Sequence, residues 1–199
     1  MNEIREECSE MLGGMYLTNA GLSVEQQTKL AKIGFYSAPA SKGHHLAVNG
    51  GLYEHSVNVT HRLLKLTEAM EIDWSRDESP YLVGMLHDLV KTRCYILKSL
   101  QDRVKDGVLQ DEDVYEYVQP PYPGHGVASA LIAAELGIQL NEDERVAIVY
   151  HMGLYGVGKE YTDKEINEAL GVFPGPIIAT HSADWLAARI DESGDFSIK

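Results

Sequence analysis

The chain has 199 residues, of which 44% are hydrophobic and 24% charged, and its formal net charge is −13. This length is near the upper end of what one hydrophobic core serves, so we expect a single domain over residues 1–199. The negative charge opposes non-specific binding to a phosphate backbone, because such binding depends on Lys and Arg. A small substrate is therefore expected in preference to a long nucleic-acid track.

Signals for targeting, membrane insertion and cross-linking are weak. The acidic start MNEIREECSE does not resemble a secretory signal. The longest apolar runs, such as VASALIAAELGI, fall short of the roughly 20 residues that span a bilayer. Cys8 and Cys94 are far apart in sequence, which does not suggest a disulfide framework. We therefore expect no membrane partner and a reducing, cytoplasmic location.

Helical spacing of apolar residues and capping patterns predict a mostly helical chain. Ser23 is the expected N-cap of the second helix, and Asn141 with Glu144 and Thr162 with Glu165 form capping-box patterns. The predicted helices, in chain order, are 2–18, 24–34, 52–70, 77–91, about 126–136, 141 to about 152, one that begins at Thr162, and 176–190. The first two form an N-terminal part within residues 1–36.

The composition changes between residues 94 and 119, where a small β-hairpin is predicted. The segments CYILKSL and DVYEYV hold β-branched and aromatic residues, and the pair Asp106–Gly107 between them favours a turn. The expected fold class is therefore all-α, a helical bundle with one hairpin insertion. Residues 191–199 are expected to form a flexible tail.

Histidine and aspartate recur inside these helices. The pair His87–Asp88 interrupts the apolar run GMLHDLVK, where hydrated side chains are costly without partners. Side chains from several helices can converge inside a bundle and bind metal, and imidazole with carboxylate suits Zn, Mn, Fe or Ni. The absence of nearby Cys argues against a closed structural zinc site. The candidate ligands are His55, His87, Asp88, His125, His151 and Asp184.

The adjacency of His87 and Asp88 leaves two arrangements open. Consecutive helical residues point about 100° apart, so both can reach one ion only if it lies between their directions. Equally, Asp88 can bridge two ions with its two oxygens while His87 binds one.

Several candidates also have a purely structural interpretation. His55 could be a half-buried helix residue, His125 a helix-start residue, and His151 a partner of a helix dipole. Asp184 could pair with Arg189. For His181, three residues before Asp184, plain packing or support of the site is favoured over metal binding.

Five fragments raise the weight of the metal interpretation, because they occur in order. They are GGLYEHSVNV, GMLHDLVK, YPGHGVAS, VYHMG and HSADWLAA. Together they resemble the HD-domain superfamily of metal-dependent phosphohydrolases over roughly residues 40–190, which we take as the metal-binding core. Small bacterial and phage HD-domain hydrolases are similar, as is the HD part of certain 3′–5′ exoribonucleases, particularly at HHLAVNGGLYEHS. The resemblance implies an HD-domain-like helical bundle.

The resemblance also implies two divalent transition metal ions, drawn from Mn, Fe, Ni, Zn and Co. Single-metal members lack the second histidine pair, so its presence here indicates a dinuclear site. Lys91 matches a lysine that often follows the His–Asp pair and is assigned to the substrate phosphate, so that Asp88 and Lys91 are the expected catalytic residues. The implied ligands are His55, His87, Asp88 and Asp184 for the first ion, and His125, His151 and bridging Asp88 for the second.

The activity implied is hydrolysis of a phosphoester of a nucleotide or oligonucleotide end by a metal-activated water. His44 and His45 are assigned to substrate binding near the site entrance, although a solvent-facing loop pair fits them equally well. Nucleic acid is a less favoured partner, because the similar exoribonucleases carry an additional N-terminal domain and the first 40 residues are too short for one. A diiron oxygenase and a catalytically silent metal-binding module are the open alternatives.

Overall fold

The structure is a computed structural model that describes residues 2–42, 46–98, 115–122 and 124–192. Two short strands, β1 (Tyr95–Leu97) and β2 (Tyr115–Tyr117), form an antiparallel pair. Short 3₁₀ segments cover Leu89–Arg93 and Gly153–Gly156, and a π-helical turn covers Ala187–Asp191. The other elements are α1 (Asn2–Asn19), α2 (Val24–Lys32), α3 (Gly51–Ala69), α4 (Ser79–Leu86), β1 (Tyr95–Leu97), β2 (Tyr115–Tyr117), α5 (His125–Glu135), α6 (Glu142–Val149), α7 (Asp163–Val172) and α8 (Pro174–Leu186).

These elements confirm the prediction of a mostly helical fold with one small hairpin. Tyr95 lies opposite Tyr117, and Leu97 lies opposite Tyr115. The predicted turn at Asp106–Gly107 lies outside the described residues. Within the described ranges, none of the helices is both long and apolar enough to cross a membrane.

Capping residues begin three helices as predicted. The Ser23 side chain accepts the backbone N–H of Gln26 at the start of α2. At α6 and α7 the side chains of Glu144 and Glu165 reach back to the N-cap backbone of Asn141 and Thr162. Each capping box satisfies N–H groups that the first helical turn leaves without a partner.

Helix α3 lies at the centre of the packing and contacts α1, α4 and α8. Its residues Leu52, Val59 and Leu63 are completely buried in one apolar cluster that extends from Leu17 in α1 to Ala183 in α8. This packing places the C-terminal ends of α8 and α4 beside the first turns of α3. Side chains from three separate helices are thereby brought to the same part of the interior.

Two of the predicted helices end early, each beside a candidate ligand. The prediction of one helix over 77–91 is wrong, because α4 ends at Leu86 and Asp88 adopts φ −113° and ψ 23° before the 3₁₀ segment. Helix α6 ends at Val149 rather than near residue 152, so His151 lies beyond it.

The same side-chain contact accompanies both helix ends. The Nδ1 of His87 donates to the carbonyl of Gly84 at 2.9 Å, and the Nδ1 of His151 donates to that of Ile148 at 2.7 Å. In a continuing helix each carbonyl would accept the N–H one residue after the histidine. The imidazole competes for that acceptor, which explains why the helix stops there.

Candidate metal centre

Asp88 lies at the centre of the predicted ligands and faces them with two different oxygens. Its Oδ2 is 3.5 Å from the Nε2 of His55 and 3.4 Å from the Nε2 of His87. Its Oδ1 is 2.5 Å from the Nε2 of His125 and 3.5 Å from that of His151. Each oxygen of one buried carboxylate therefore faces its own pair of imidazoles.

Asp184 joins the side of the cluster that holds His55 and His87. Its Oδ1 lies 3.2 Å from the Nε2 of His55 and 4.0 Å from the Nε2 of His87. Helix α8 thus contributes a second carboxylate, and the structure brings all the predicted ligand side chains together. Two groups, His55–His87–Asp88 and Asp88–His125–His151, each place ligand atoms within 4.8 Å of one another and could hold a metal ion.

The orientation of two imidazoles supports a metal in particular. Because a carbonyl only accepts hydrogen bonds, the Nδ1 of His87 and that of His151 each carry a proton, so in the neutral imidazole the Nε2 is the nitrogen that presents a lone pair. Both Nε2 atoms are buried and have no hydrogen-bond partner among the described residues. A buried polar atom without a partner is costly, and a metal ion in each of the two groups would satisfy one of these atoms.

Glu192 orients the third buried imidazole, a role that no pattern in the sequence indicates. Its carboxylate accepts a hydrogen bond from the Nδ1 of His55 at 2.9 Å and another from Asn58 at 3.1 Å. The neighbouring Asp191 pairs with Arg62. Both acidic residues were assigned to a flexible tail, and that assignment is wrong for them because their side chains are bound to α3. Residues 193–199 lie outside the described residues.

Lys91 lies beside the centre, as the resemblance implied. Its Nζ is 2.5 Å from the Oδ2 of Asp88, and its side chain is only 12% exposed. Burial by itself would lower the pKa of Lys91, but Asp88 and Asp184 outweigh burial and raise it. A charged ammonium is thus fixed at the edge of the predicted ligand set.

Charges within the cluster keep its carboxylates ionised. Burial alone would raise the pKa of Asp88, but the ammonium of Lys91, followed by the neighbouring imidazoles, lowers it well below the usual range. The pKa of Asp184 is likewise lowered, because its hydrogen bond from His55 outweighs its burial.

Burial lowers the pKa of His87 and keeps it neutral. Burial would also lower the pKa values of His55 and His151, but hydrogen bonds with carboxylates outweigh burial and raise both. Because carboxylate and neutral imidazole are the forms that bind metal, these two imidazoles release a proton on binding an ion.

Two further residues position the His125 and His151 pair. Glu160 accepts the backbone N–H of His125 at 2.7 Å, so a carboxylate occupies the positive end of α5. His181 donates from Nδ1 to the carbonyl of His151 at 2.8 Å and does not itself face Asp88. The prediction of support or packing for His181 agrees with this contact, whereas Glu160 was not singled out. His44 and His45 lie outside the described residues.

A cleft of about 220 Å³ opens beside the centre. His125 belongs both to the candidate metal centre and to the cleft. Its side chain faces Asp88, lines the cleft and is 27% exposed. Residues of β2 and of the segment that follows it also line the cleft. The site therefore has an opening next to one of its two imidazole pairs.

Comparison with known proteins gives one distant relative. The chain is 30% identical over 124 residues to the dihydroneopterin 2′,3′-cyclic phosphate phosphodiesterase of Methanocaldococcus jannaschii. The alignment covers 57% of this chain and 42% of that protein, so it spans less than half of the relative's length. No protein-family model matches the chain, and no solved structure matches it. The similarity supports the class of phosphoester hydrolases.

Proposed function

We propose that this protein is a metal-dependent phosphohydrolase of the HD-domain superfamily, which cleaves a phosphoester of a nucleotide or a similar small molecule. The observation that carries the proposal is the position of Asp88, with one oxygen toward His55 and His87 and the other toward His125 and His151. The similarity to a phosphodiesterase supports the type of reaction.

The donor set fits two divalent transition metal ions. Imidazole and carboxylate together suit Mn, Fe, Co, Ni and Zn. Such ions, when bound, polarise phosphoryl oxygens and lower the pKa of a coordinated water. The residues that would hold the first ion are His55, His87, Asp88 and Asp184, and those for the second are His125, His151 and Asp88 as the bridge.

The chain's own side chains supply position and charge. The Nδ1 hydrogen bonds of His55, His87 and His151 fix the three rings, so little rearrangement accompanies binding. The ammonium of Lys91 is placed to contact a phosphoryl oxygen and to stabilise the negative charge that develops there.

A small phosphorylated substrate agrees better with this chain than an extended nucleic acid. A formal net charge of −13 repels a phosphate backbone over long distances. The relative acts, by its name, on a cyclic phosphate of a pterin derivative, which carries a single phosphodiester. A cyclic phosphodiester of a small molecule is therefore the first substrate to test.

The test combines metal analysis with an activity screen. Purified protein should contain up to two transition metal ions per chain and, with Mn or Ni, hydrolyse at least one member of a panel of 2′,3′-cyclic phosphates, nucleotides and short oligonucleotides. His87→Ala should lower both metal content and turnover, the latter by about 100-fold or more. The matched control is Lys164→Ala, a substitution at a side chain that is 82% exposed.

Two results would contradict the proposal. One is a His87→Ala variant that keeps the activity of the unaltered protein. The other is consumption of dioxygen by the iron-loaded protein with no phosphoester hydrolysis, which would support the oxygenase alternative.

A further inference from the structure

The cleft beside His125 has a lining that a phosphate site alone would not need. The buried residues that line it include Val90, Cys94 and Pro120, which are apolar or only weakly polar. Two tyrosines, Tyr117 and Tyr122, line the same cleft. An apolar surface with two aromatic rings favours a flat organic group over an ion.

Both tyrosine side chains are held in place by the protein. The ring of Tyr117 packs against that of Tyr95 with a centroid distance of 5.9 Å, and its hydroxyl donates to the Oε1 of Gln119 at 2.9 Å. The hydroxyl of Tyr122 donates to Glu135 at 3.1 Å. Because these rings are already oriented, their side chains lose less conformational entropy when a planar ligand contacts them.

Arg93 reinforces the orientation of Tyr122. Its guanidinium carbon lies 5.5 Å from the centroid of the Tyr122 ring, and it also pairs with Glu135. One cation therefore contacts both the ring and the carboxylate that accepts from the hydroxyl. Tyr122 is fixed at two points rather than one.

Polar groups of the cleft can recognise the edge of such a ring. The carboxamide of Gln119 uses one N–H for the carbonyl of Pro120, at 3.4 Å, and one acceptor position for Tyr117. A carboxamide has two N–H groups and two acceptor positions, so one N–H and one acceptor position remain for a ligand. Lys159, which is exposed, adds a cation at the same cleft. Neighbouring donors and acceptors on a flat edge are typical of nitrogen heterocycles.

The size of the cleft limits the ligand to one ring system. Sites for drug-sized ligands usually measure about 300–1,000 Å³, and this cleft measures about 220 Å³. A purine or a pterin therefore fits better than a dinucleotide.

From these observations we infer that the cleft binds the planar nitrogen heterocycle of the substrate, a pterin or a purine, with Tyr117 and Tyr122 contacting its ring. The inference rests on the proposed function in one respect, namely that the phosphate attached to this heterocycle lies at the metal centre next to His125. Substrate specificity would then be determined by β2 and the segment that follows it, whereas the helices carry the residues for hydrolysis.

Binding of the ring alone tests the inference independently of hydrolysis. Neopterin and guanosine, which carry no phosphate, are titrated into the full-length protein by fluorescence or calorimetry. The unaltered protein should bind at least one of them, and the tighter of the two identifies the ring as pterin or purine. Tyr117→Ala should weaken binding by about 5- to 150-fold, the range produced by loss of one aromatic stack on a base.

Two further variants separate loss of the ring contact from loss of structure. Ile96→Ala changes the same hairpin at a side chain that is 61% exposed and does not line the cleft, so it should bind like the unaltered protein. Tyr122→Leu keeps most of the side-chain volume but removes the second aromatic ring, and it should also weaken binding.

Kinetics distinguish failure of this inference from failure of the proposed function. The substrates are dihydroneopterin 2′,3′-cyclic phosphate, guanosine 2′,3′-cyclic phosphate and glycerol 1,2-cyclic phosphate, which keeps the cyclic diester but has no heterocycle. Tyr117→Ala should raise KM for a heterocyclic substrate and lower its kcat/KM by a larger factor than it lowers kcat/KM for the glycerol compound.

Equal kcat/KM for all three substrates in the unaltered protein, with no binding of neopterin or guanosine, would overturn the inference and leave the phosphohydrolase intact. An equal loss on all three substrates in Tyr117→Ala would also overturn it. Heterocycle binding that depends on Tyr117, without hydrolysis of any cyclic phosphate, would support the cleft assignment and reject the proposed reaction.

Discussion

The carboxylate of Glu192 lies 2.9 Å from the Nδ1 of His55 and joins the π-helical turn after α8 to the first turns of α3. This carboxylate is 1% exposed, and the imidazole is completely buried. Carboxylates that accept from the second nitrogen of a metal-binding histidine fix the ring and raise its basicity. Glu192 therefore acts on the candidate centre through His55.

The first prediction concerns this pair. Glu192→Gln should weaken metal binding by about 10- to 100-fold, because an uncharged amide supports the imidazole less well than a carboxylate. Competition with a chelator of known affinity measures the change. The rate of hydrolysis at saturating metal should recover, since no residue that faces the substrate is altered.

Asp191→Asn is the matched control for Glu192→Gln. It removes one carboxylate charge at the adjacent position, but Asp191 pairs with Arg62, whose side chain is 27% exposed, and not with a candidate ligand. Metal affinity should stay within about twofold of the original, as expected for a partly exposed pair outside the site. Equal losses in the two variants would show that general charge, and not support of His55, explains the effect.

A second prediction follows from the close approach of α5 and α6 at Gly126. A Cβ at this position would lie 2.3 Å from the carbonyl oxygen of Ile148 and 2.4 Å from that of Val149. The glycine thus allows the backbone contact that places His125 and His151 with ring centroids 5.6 Å apart. Gly126→Ala should separate the two helices, cost about 1–3 kcal/mol of stability through overpacking, and lower the metal content from two ions to one.

The control for this substitution is Gly171→Ala in α7, where a Cβ would meet nothing within 4 Å. It should leave metal content unchanged and alter stability by no more than about 1 kcal/mol, in the stabilising direction, because alanine favours helix. Thermal unfolding and metal analysis of both variants provide the comparison. A Gly126→Ala protein with full metal content and unchanged stability would refute the proposed role of the close contact.

The third prediction concerns the reactivity of the Cys94 thiol. Burial, reinforced by the charge of Asp88, raises its pKa from 9.0 to about 11. Only the thiolate is nucleophilic, so at pH 8 the reactive fraction is about 100-fold smaller than that of an ordinary thiol. Alkylation of Cys94 by iodoacetamide should be slow at pH 8 and should accelerate about tenfold for each pH unit up to pH 11.

Mass spectrometry of proteolytic peptides measures the alkylation of Cys94 separately from that of Cys8. In denaturant Cys94 should react at the rate of an ordinary thiol, because both its burial and its proximity to Asp88 are lost. Rapid alkylation in the native protein at pH 8 would contradict the burial of this side chain beside the cleft.

The sequence predicts the composition of the candidate centre better than its geometry. All the predicted ligand side chains surround Asp88, because separated motifs in a fixed order constrain which helices must meet. The interruption after His87 was missed, because it depends on competition between an imidazole and a backbone N–H for the carbonyl of Gly84. The helical spacing of apolar residues in the sequence does not reveal that competition.

The supporting carboxylates were missed for a different reason. Glu192 lies 137 residues from His55 in sequence, and Glu160 lies 35 residues from His125. Each occurs in a polar stretch that looks like solvated surface, and neither forms a periodic pattern with its partner. Among these supporting contacts, a recurring sequence spacing is found only for His87 and His151. Each imidazole donates to the backbone carbonyl three residues earlier.

The fourth prediction concerns stability away from the centre, at the ion pair of Arg76 and Glu144. Arg76 donates from Nε and Nη2 to the two oxygens of Glu144 at 2.7 and 2.8 Å, and the carboxylate is completely buried. Glu144 also accepts from the hydroxyl of Ser79 and from the backbone N–H of Asn141. One carboxylate thus connects α4, α6 and the loop before α4.

Arg76→Ala leaves that carboxylate buried without its cation, and such a change costs about 3–5 kcal/mol. Lys164→Ala removes the same charge from an exposed pair with Glu168 and should cost less than about 1 kcal/mol. Urea unfolding of both variants at equal ionic strength measures the two free energies of unfolding. Because Arg76 does not contact a candidate ligand, metal affinity below the unfolding transition should be unchanged. Similar losses of stability in the two variants would show that Arg76 contributes no more than a surface charge.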